Sequence, residues 1–204
     1  GCNIGATRSL YQLVYYVLEN VSQGDYYAFC DQDDYWPPEK LVTAINAINQ
    51  LEGTYKMYFC NSTYVDAELS FIKESSFYYD GNFKHCILRN IALGCTMVFN
   101  SNMFLLAGQA SKSFFVKDRE KYIPLHDVWF YAFAHCINAS IFYDRSPHLL
   151  YRQHGSNVTQ ANKSLVRRYL LGIRNTFKNP DSHLALASCL YQCNCYFDNN
   201  VTNY

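Results

Sequence analysis

The sequence predicts an α/β domain: a mostly parallel sheet flanked by helices. Three observations lead there. Short apolar runs alternate with segments whose apolar residues recur at helical spacing, the pattern of a sheet covered by helices. One apolar run, Tyr26 to Cys30, ends directly on a cluster of carboxylates, the place where open sheets bind ligands. Half of the 204 residues are hydrophobic and only 17% are charged, enough chain and enough apolar surface for one buried core.

The elements follow in order. Leu10, Leu13, Val14, Val17, Leu18 and Val21 share a helical face, with Ser9-x-x-Gln12 as a capping box and Gly24 as the stop. Tyr26 to Cys30 is a strand. Pro37 and Pro38 suit the first turn of a second helix, whose apolar face is Leu41, Ala44, Ile45, Ile48 and Leu51. Residues 57–60 form a strand, and residues 67–82, lacking periodicity, form a long loop. Cys95 to Phe99 is a strand opened by Gly94, and Leu125 to Cys136 is a helix apolar nearly all round, hence buried. Ile141 to Tyr143 and Leu149 to Arg152 form two strands separated by a turn at Ser146-Pro147. From Ser164 onward, Leu165, Tyr169, Leu170 and Ile173 restore helical spacing. The chain therefore divides into a core over residues 1–160 and a helical extension over 161–204. No strand precedes the first helix, so we expect the sheet's first strands to lie upstream of Gly1.

Bulk properties exclude some classes. Seventeen basic residues balance seventeen acidic ones, so the chain has no general pull on polyanions and nucleic acid is not expected as a partner. The nine cysteines are odd in number and several sit in apolar runs, which reads as reduced thiols in a cytoplasmic protein. His135 and Asn138 interrupt the longest apolar stretch, so no spanning segment is expected. A basic face of Arg167, Arg168, Arg174 and Lys178 suits either solvent or a peripheral seat at the inner face of a membrane.

Three segments carry possible chemistry. Asp31-x-Asp33-Asp34 crowds carboxylates that repel one another unless a cation neutralises them, and oxygen ligands select Mg²⁺ or Mn²⁺. The same residues also read as a polar turn before a helix. Asp127, after His126 at a helix start, is stabilised as the anion by the helix dipole. Its apolar, aromatic neighbours make a cleft-lining general base the alternative to a simple first-turn aspartate. Tyr151-Arg152-Gln153-His154-Gly155 gathers donors at a strand end, where Arg152 offers a fork for phosphate and His154 a metal ligand. Cys189, Cys193 and Cys195 lack the partners that would complete a zinc site.

Together these segments resemble the family-2 glycosyltransferases of the GT-A type. The run from Gly24 through Cys30-Asp31-Gln32-Asp33-Asp34-Tyr35-Trp36-Pro37 to Leu41 resembles their metal-binding segment. Gly94 to Asn100 resembles the strand beside the acceptor, His126-Asp127-Val128-Trp129 the acidic motif, and Tyr151 to Asn157 the closing segment of the rhamnosyltransferase-like branch. The resemblance runs from about Asn3 to Val158 and implies a GT-A-like, Rossmann-like fold and an inverting hexosyltransferase. It implies Asp31, Asp33, Asp34 and Arg152 as donor binders, and Asp31, Asp33 and His154 as ligands of Mg²⁺ or Mn²⁺. Asp127 becomes the base, and Gly94, His126 and Trp129 line the acceptor. The implied donor is dTDP-rhamnose or a UDP-hexose, and the acceptor a polysaccharide or lipid-linked glycan. Nucleotidyl transfer would need a glycine-rich basic loop that these residues do not show. A catalytically silent glycan-binding module is the other alternative.

Overall fold

The computed structural model describes residues 4–21, 24–79, 81, 91–115, 123–153 and 190–191. Its elements are α1 (Ala6–Asn20), β1 (Tyr26–Ala28), α2 (Lys40–Gln50), β2 (Lys56–Val65), β3 (Phe71–Glu74), a 3-10 turn (Gly94–Thr96), β4 (Val98–Asn100), α3 (Ser101–Phe115), α4 (His126–Cys136) and β5 (Ser140–Arg152).

The class is α/β as expected, but the sheet is mixed rather than mostly parallel. β4 lies between β1 and β2 and runs against both, pairing Tyr27 with Phe99 and Tyr58 with Val98. Along its other edge β2 pairs with β5 in parallel. Thus β1, β2 and β5 share one direction, and β4 enters the sheet from the end where they finish. β3 folds back on β2 through a turn in which the Asp66 carboxylate accepts from the amides of Glu68 and Ser70, at 3.1 and 2.8 Å. A tight turn of this kind can only join antiparallel strands. Periodicity reports that a segment is extended; it does not report which way the segment runs.

Adjacent residues of β2 face opposite sides. Met57 and Phe59 enter a core built with Tyr11 and Val14 of α1, Phe104 of α3 and Phe130 and Phe133 of α4. Tyr58 and Cys60 join Ala44 and Ile48 of α2 and Val98 on the other face. Helices therefore cover both faces, and α4 is buried nearly all round, as its composition demands.

Several local expectations change. α1 starts one turn early, after Gly5, and Ser9 sits inside its first turn with its hydroxyl donating to the Gly5 carbonyl at 3.0 Å. No capping box forms. α2 starts at Lys40, because Pro37 and Pro38 instead make the preceding turn, closed by the Lys40 amide to the Pro37 carbonyl at 3.0 Å. The loop expected over 67–82 contains β3, and the strand expected from Cys95 is a 3-10 turn followed by β4. The two strands expected around Ser146-Pro147 are one strand, β5, interrupted by a bulge. α3 was not anticipated, although Met103, Phe104, Ala107, Gly108, Ser111 and Phe115 are buried at helical spacing. At Gly108 an added Cβ would lie 2.9 Å from Val14 Cγ1, so the missing side chain lets α1 and α3 touch. The helical extension over 161–204 lies outside the described residues except for Leu190 and Tyr191. Among the described residues no helix is long and apolar enough to cross a membrane.

Candidate functional site

The site forms where β1, β2 and β5 end and β4 begins. β1 leads through Phe29, which is buried, to Asp31 and the acidic loop. β5 clamps that loop from the far side. Tyr35 and Leu150 exchange backbone hydrogen bonds at 3.1 and 3.0 Å, and the Arg152 amide donates to Asp34 Oδ1 at 3.1 Å. The Arg152 guanidinium donates from Nε to the Asp33 carbonyl at 2.9 Å and from Nη1 to the Ala67 carbonyl. Two of the three guanidinium nitrogens thus help to hold the loop in place.

Lys40 secures the loop from beneath. It has no exposed surface, its Nζ donates to the Cys95 carbonyl at 2.5 Å, and it lies 3.3 Å from the centre of the Trp36 ring. Burial lowers its pKa to about 8, against the pull of the Cys95, Cys60 and Cys30 thiols and Asp34. No role for Lys40 came from its sequence context. The readable signal is its spacing, since Lys40, Ala44 and Ile48 form the buried stripe of α2. A lysine on such a stripe needs a specific polar partner.

Asp31, Asp34 and Cys95 each bring one ligand atom to within 4.8 Å of the others. Asp34 Oδ2 is buried and accepts no regular hydrogen bond, with the Cys95 thiol standing loosely beside it. Burial raises the Asp34 carboxyl to about 6, and the charges of Asp31 and Asp33 add to this; the Arg152 amide and Cys95 only partly offset it. Asp31 is also raised, by burial and then by Asp33, with Cys95 and Lys40 pulling it back. The Cys95 thiol is held well above its ordinary range by burial and by the two carboxylates. Two crowded carboxylates, one with an orphaned oxygen, fit a divalent cation, which would relieve both. The grouping differs from the expected one. Asp34 and Cys95 join Asp31, whereas Asp33 contributes its backbone carbonyl to Arg152 and is not among the three. His154 lies outside the described residues.

The turn carrying Cys95 also meets the second motif. A Cβ on Gly94 would fall 2.3 Å from His126 Nε2, so only glycine leaves room for the imidazole here. The His126 ring stands edge-on to Phe29 at 4.7 Å, and its Nε2 is buried without a hydrogen-bond partner. Burial lowers its pKa to about 4, keeping it neutral. Asp127 follows in the first turn of α4, half-buried, with Oδ1 accepting from the Val128 amide at 2.8 Å. Gly94 and His126, expected to line the acceptor, pack against each other. Trp129 is a correction. It is fully buried, its Nε1 donates to the Ala107 carbonyl at 3.0 Å, and its ring meets Phe115 at 4.9 Å. It belongs to the core beneath α3 and offers no surface to an acceptor.

One short turn thus touches both acidic motifs: Cys95 reaches Asp31 and Asp34, while Gly94 receives the histidine beside Asp127. With that arrangement in hand, the chain compares well with a named enzyme. It is 32% identical over 180 residues to the dTDP-rhamnosyl transferase RfbG of Shigella flexneri, covering 81% of this chain and 55% of that protein. The curated relatives it matches are thus named glycosyltransferases. Two uncharacterized glycosyltransferases agree, RT0329 of Rickettsia typhi and RP339 of Rickettsia prowazekii. Both are 24% identical, over 76% and 72% of this chain and 47% and 45% of their own lengths. No family model matches. The chain spans about half the length of the curated relatives it matches.

Proposed function

We propose that the protein moves a sugar, rhamnose in the first instance, from a nucleotide diphosphate to a hydroxyl of a growing cell-surface glycan, with inversion at the anomeric carbon. The observation that carries this reading is the turn at Gly94–Thr96, which brings a cation-ready carboxylate pair and the Asp127 segment to one end of the sheet. The name of the Shigella relative supports the rhamnosyl donor. A UDP-hexose is the competing donor.

In this reading Asp127 accepts the proton of the acceptor hydroxyl as that oxygen bonds to the anomeric carbon. The bond from the anomeric carbon to the diphosphate breaks with its electron pair leaving on the phosphate oxygen. Asp31 and Asp34, beside the Cys95 thiol, are the residues whose oxygens would hold Mg²⁺ or Mn²⁺, which when bound would supply positive charge to the diphosphate. Asp33, in the same loop, is the further donor-binding carboxylate of this reading. Arg152 and Lys40 keep the loop in shape from opposite sides, so that the carboxylates are ordered before the donor arrives. The scatter of the cysteines through apolar runs is what supports a cytoplasmic setting in this reading.

The test is transfer from dTDP-rhamnose, with UDP-glucose and UDP-galactose as controls and calorimetric donor binding alongside. Cation-dependent rhamnose transfer that disappears in Asp127→Asn supports the assignment. Full activity in chelator refutes the metal. Tight donor binding with neither transfer nor hydrolysis would instead mark a silent binding module. Preference for a UDP-hexose removes the rhamnosyl assignment alone.

A further inference from the structure

A concave feature lies apart from the acidic site, and an irregularity in β5 builds it. Asp144 lies opposite Cys60, but the next pairing sets Pro147 opposite Asn61, and the register slips again before Thr63. A bulge of this kind bends its strand and re-aims side chains, and such bulges gather beside functional sites. Here it puts Arg145 out into solvent while its carbonyl accepts from Asn61 Nδ2 at 2.7 Å. The Tyr143 hydroxyl donates to Asn61 Oδ1 at 2.6 Å. Asn61 is buried, so both ends of its amide are fixed and the pocket floor is set before any ligand arrives. One wall is equally fixed: Ser75 exchanges bonds with Ser62, amide to carbonyl at 2.8 Å and hydroxyl from amide at 2.7 Å. With Glu74 and Tyr78, these residues border a hollow of about 470 Å³.

We infer that this hollow is a saccharide subsite for the acceptor glycan. Tyr78 stands 77% exposed at its rim, an aromatic face available to the C–H side of a pyranose. Glu74 and Arg145 both border it, one able to accept and the other to donate hydrogen bonds to neighbouring hydroxyls. Their opposite charges favour a neutral polyhydroxyl ligand, because a phosphate would meet the Glu74 carboxylate. The volume lies in the range of small-molecule sites, roughly 300–1,000 Å³. The position also suits an acceptor. Tyr143 stacks on Phe59 at 4.8 Å, and Phe59 meets Tyr131 at 5.7 Å, one turn along α4 from Asp127. The subsite therefore opens on the face of the sheet that carries Asp127, whereas Lys40 and α2 pack on the opposite face.

The word acceptor rests on the proposed transfer; the binding of a saccharide does not. Saturation-transfer NMR of the protein with methyl α-rhamnoside and methyl β-galactoside as probes, and glucose 1-phosphate as an anionic control, tests it directly. We expect a methyl glycoside to bind, and Tyr78→Ala and Arg145→Gln each to weaken it by about tenfold, the effect of losing one anchoring contact. Asp34→Ala, in the acidic loop, should leave glycoside binding unchanged. Absence of glycoside binding, wild-type binding in Tyr78→Ala, stronger binding of the anion, or loss of binding in Asp34→Ala would each overturn the subsite. Glycoside binding without any transfer would leave the subsite standing and refute the catalytic reading alone.

Discussion

Replacing Asp34 by asparagine should make the apoprotein more stable and the site useless for a cation. The Asp34 carboxyl is raised from 3.8 to about 6, chiefly because burial penalises its charge. A raised carboxyl binds its proton more tightly in the folded chain than in the unfolded one, so stability is unaffected below the unfolded value. It falls as pH rises from about 4 to about 6, and the full penalty persists above that. At ~1.4 kcal/mol per pKa unit the ceiling is about 3 kcal/mol, and screening of a group that keeps some solvent contact reduces this to about 1–2 kcal/mol. The substituted amide would carry no charge, yet its carbonyl oxygen could still accept from the Arg152 backbone N–H. Thermal unfolding at pH 7.5 should therefore rise by about 3–6 °C in Asp34→Asn for a domain of this size, with the gain vanishing near pH 3.5. Mn²⁺ reverses the order. At a hundredfold excess over its Kd it should stabilise the wild type by about 2.7 kcal/mol and the variant little. A variant less stable than wild type at pH 7.5, or equal stabilisation of both by Mn²⁺, would refute the picture of Asp34 as an uncompensated carboxylate awaiting a cation.

Other substitutions separate the remaining roles. Asp127→Asn should leave calorimetric donor affinity intact and lower turnover by about 10²–10⁴-fold, the usual contribution of a positioned base; unchanged turnover removes Asp127 from the chemistry. Gly94→Ala forces the His126 ring away from a Cβ that would lie 2.3 Å from its Nε2. Overpacking of this sort costs about 1–3 kcal/mol in urea unfolding, and adding His126→Ala should recover part of it; a second change that only worsens stability would show that the two do not share the space. Trp129→Phe loses the bond to the Ala107 carbonyl and should cost about 1 kcal/mol of stability while leaving acceptor KM unchanged; an acceptor KM that rises without loss of stability would return Trp129 to the binding surface.

The alternation of apolar runs was enough to establish an α/β chain, because burial on both faces of a strand and along one stripe of a helix writes directly into residue order. It placed β1, α2 and α4 within a few residues, and it picked out Asp31, Asp33, Asp34 and Asp127 because carboxylates at element ends stand out against apolar neighbours. Other features depend on contacts between distant residues and leave no local mark. Strand direction is one: nothing in Val98–Asn100 says that it runs against Tyr26–Ala28, so the mixed sheet had to be seen. The partners of a charge are another. Arg152 reads as a phosphate fork, and only the fold reveals that its guanidinium also reaches the carbonyls of Asp33 and Ala67, over eighty residues away in sequence. Trp129 beside an aspartate looks like a cleft residue until α3 closes over it, and α3 itself went unread. Cys95 joins Asp31 and Asp34, and Gly94 makes room for His126, only because β4 enters the sheet at the end where β1 leaves it. Composition and spacing chose which residues could do chemistry; the reversed strand between β1 and β2 decided which of them meet.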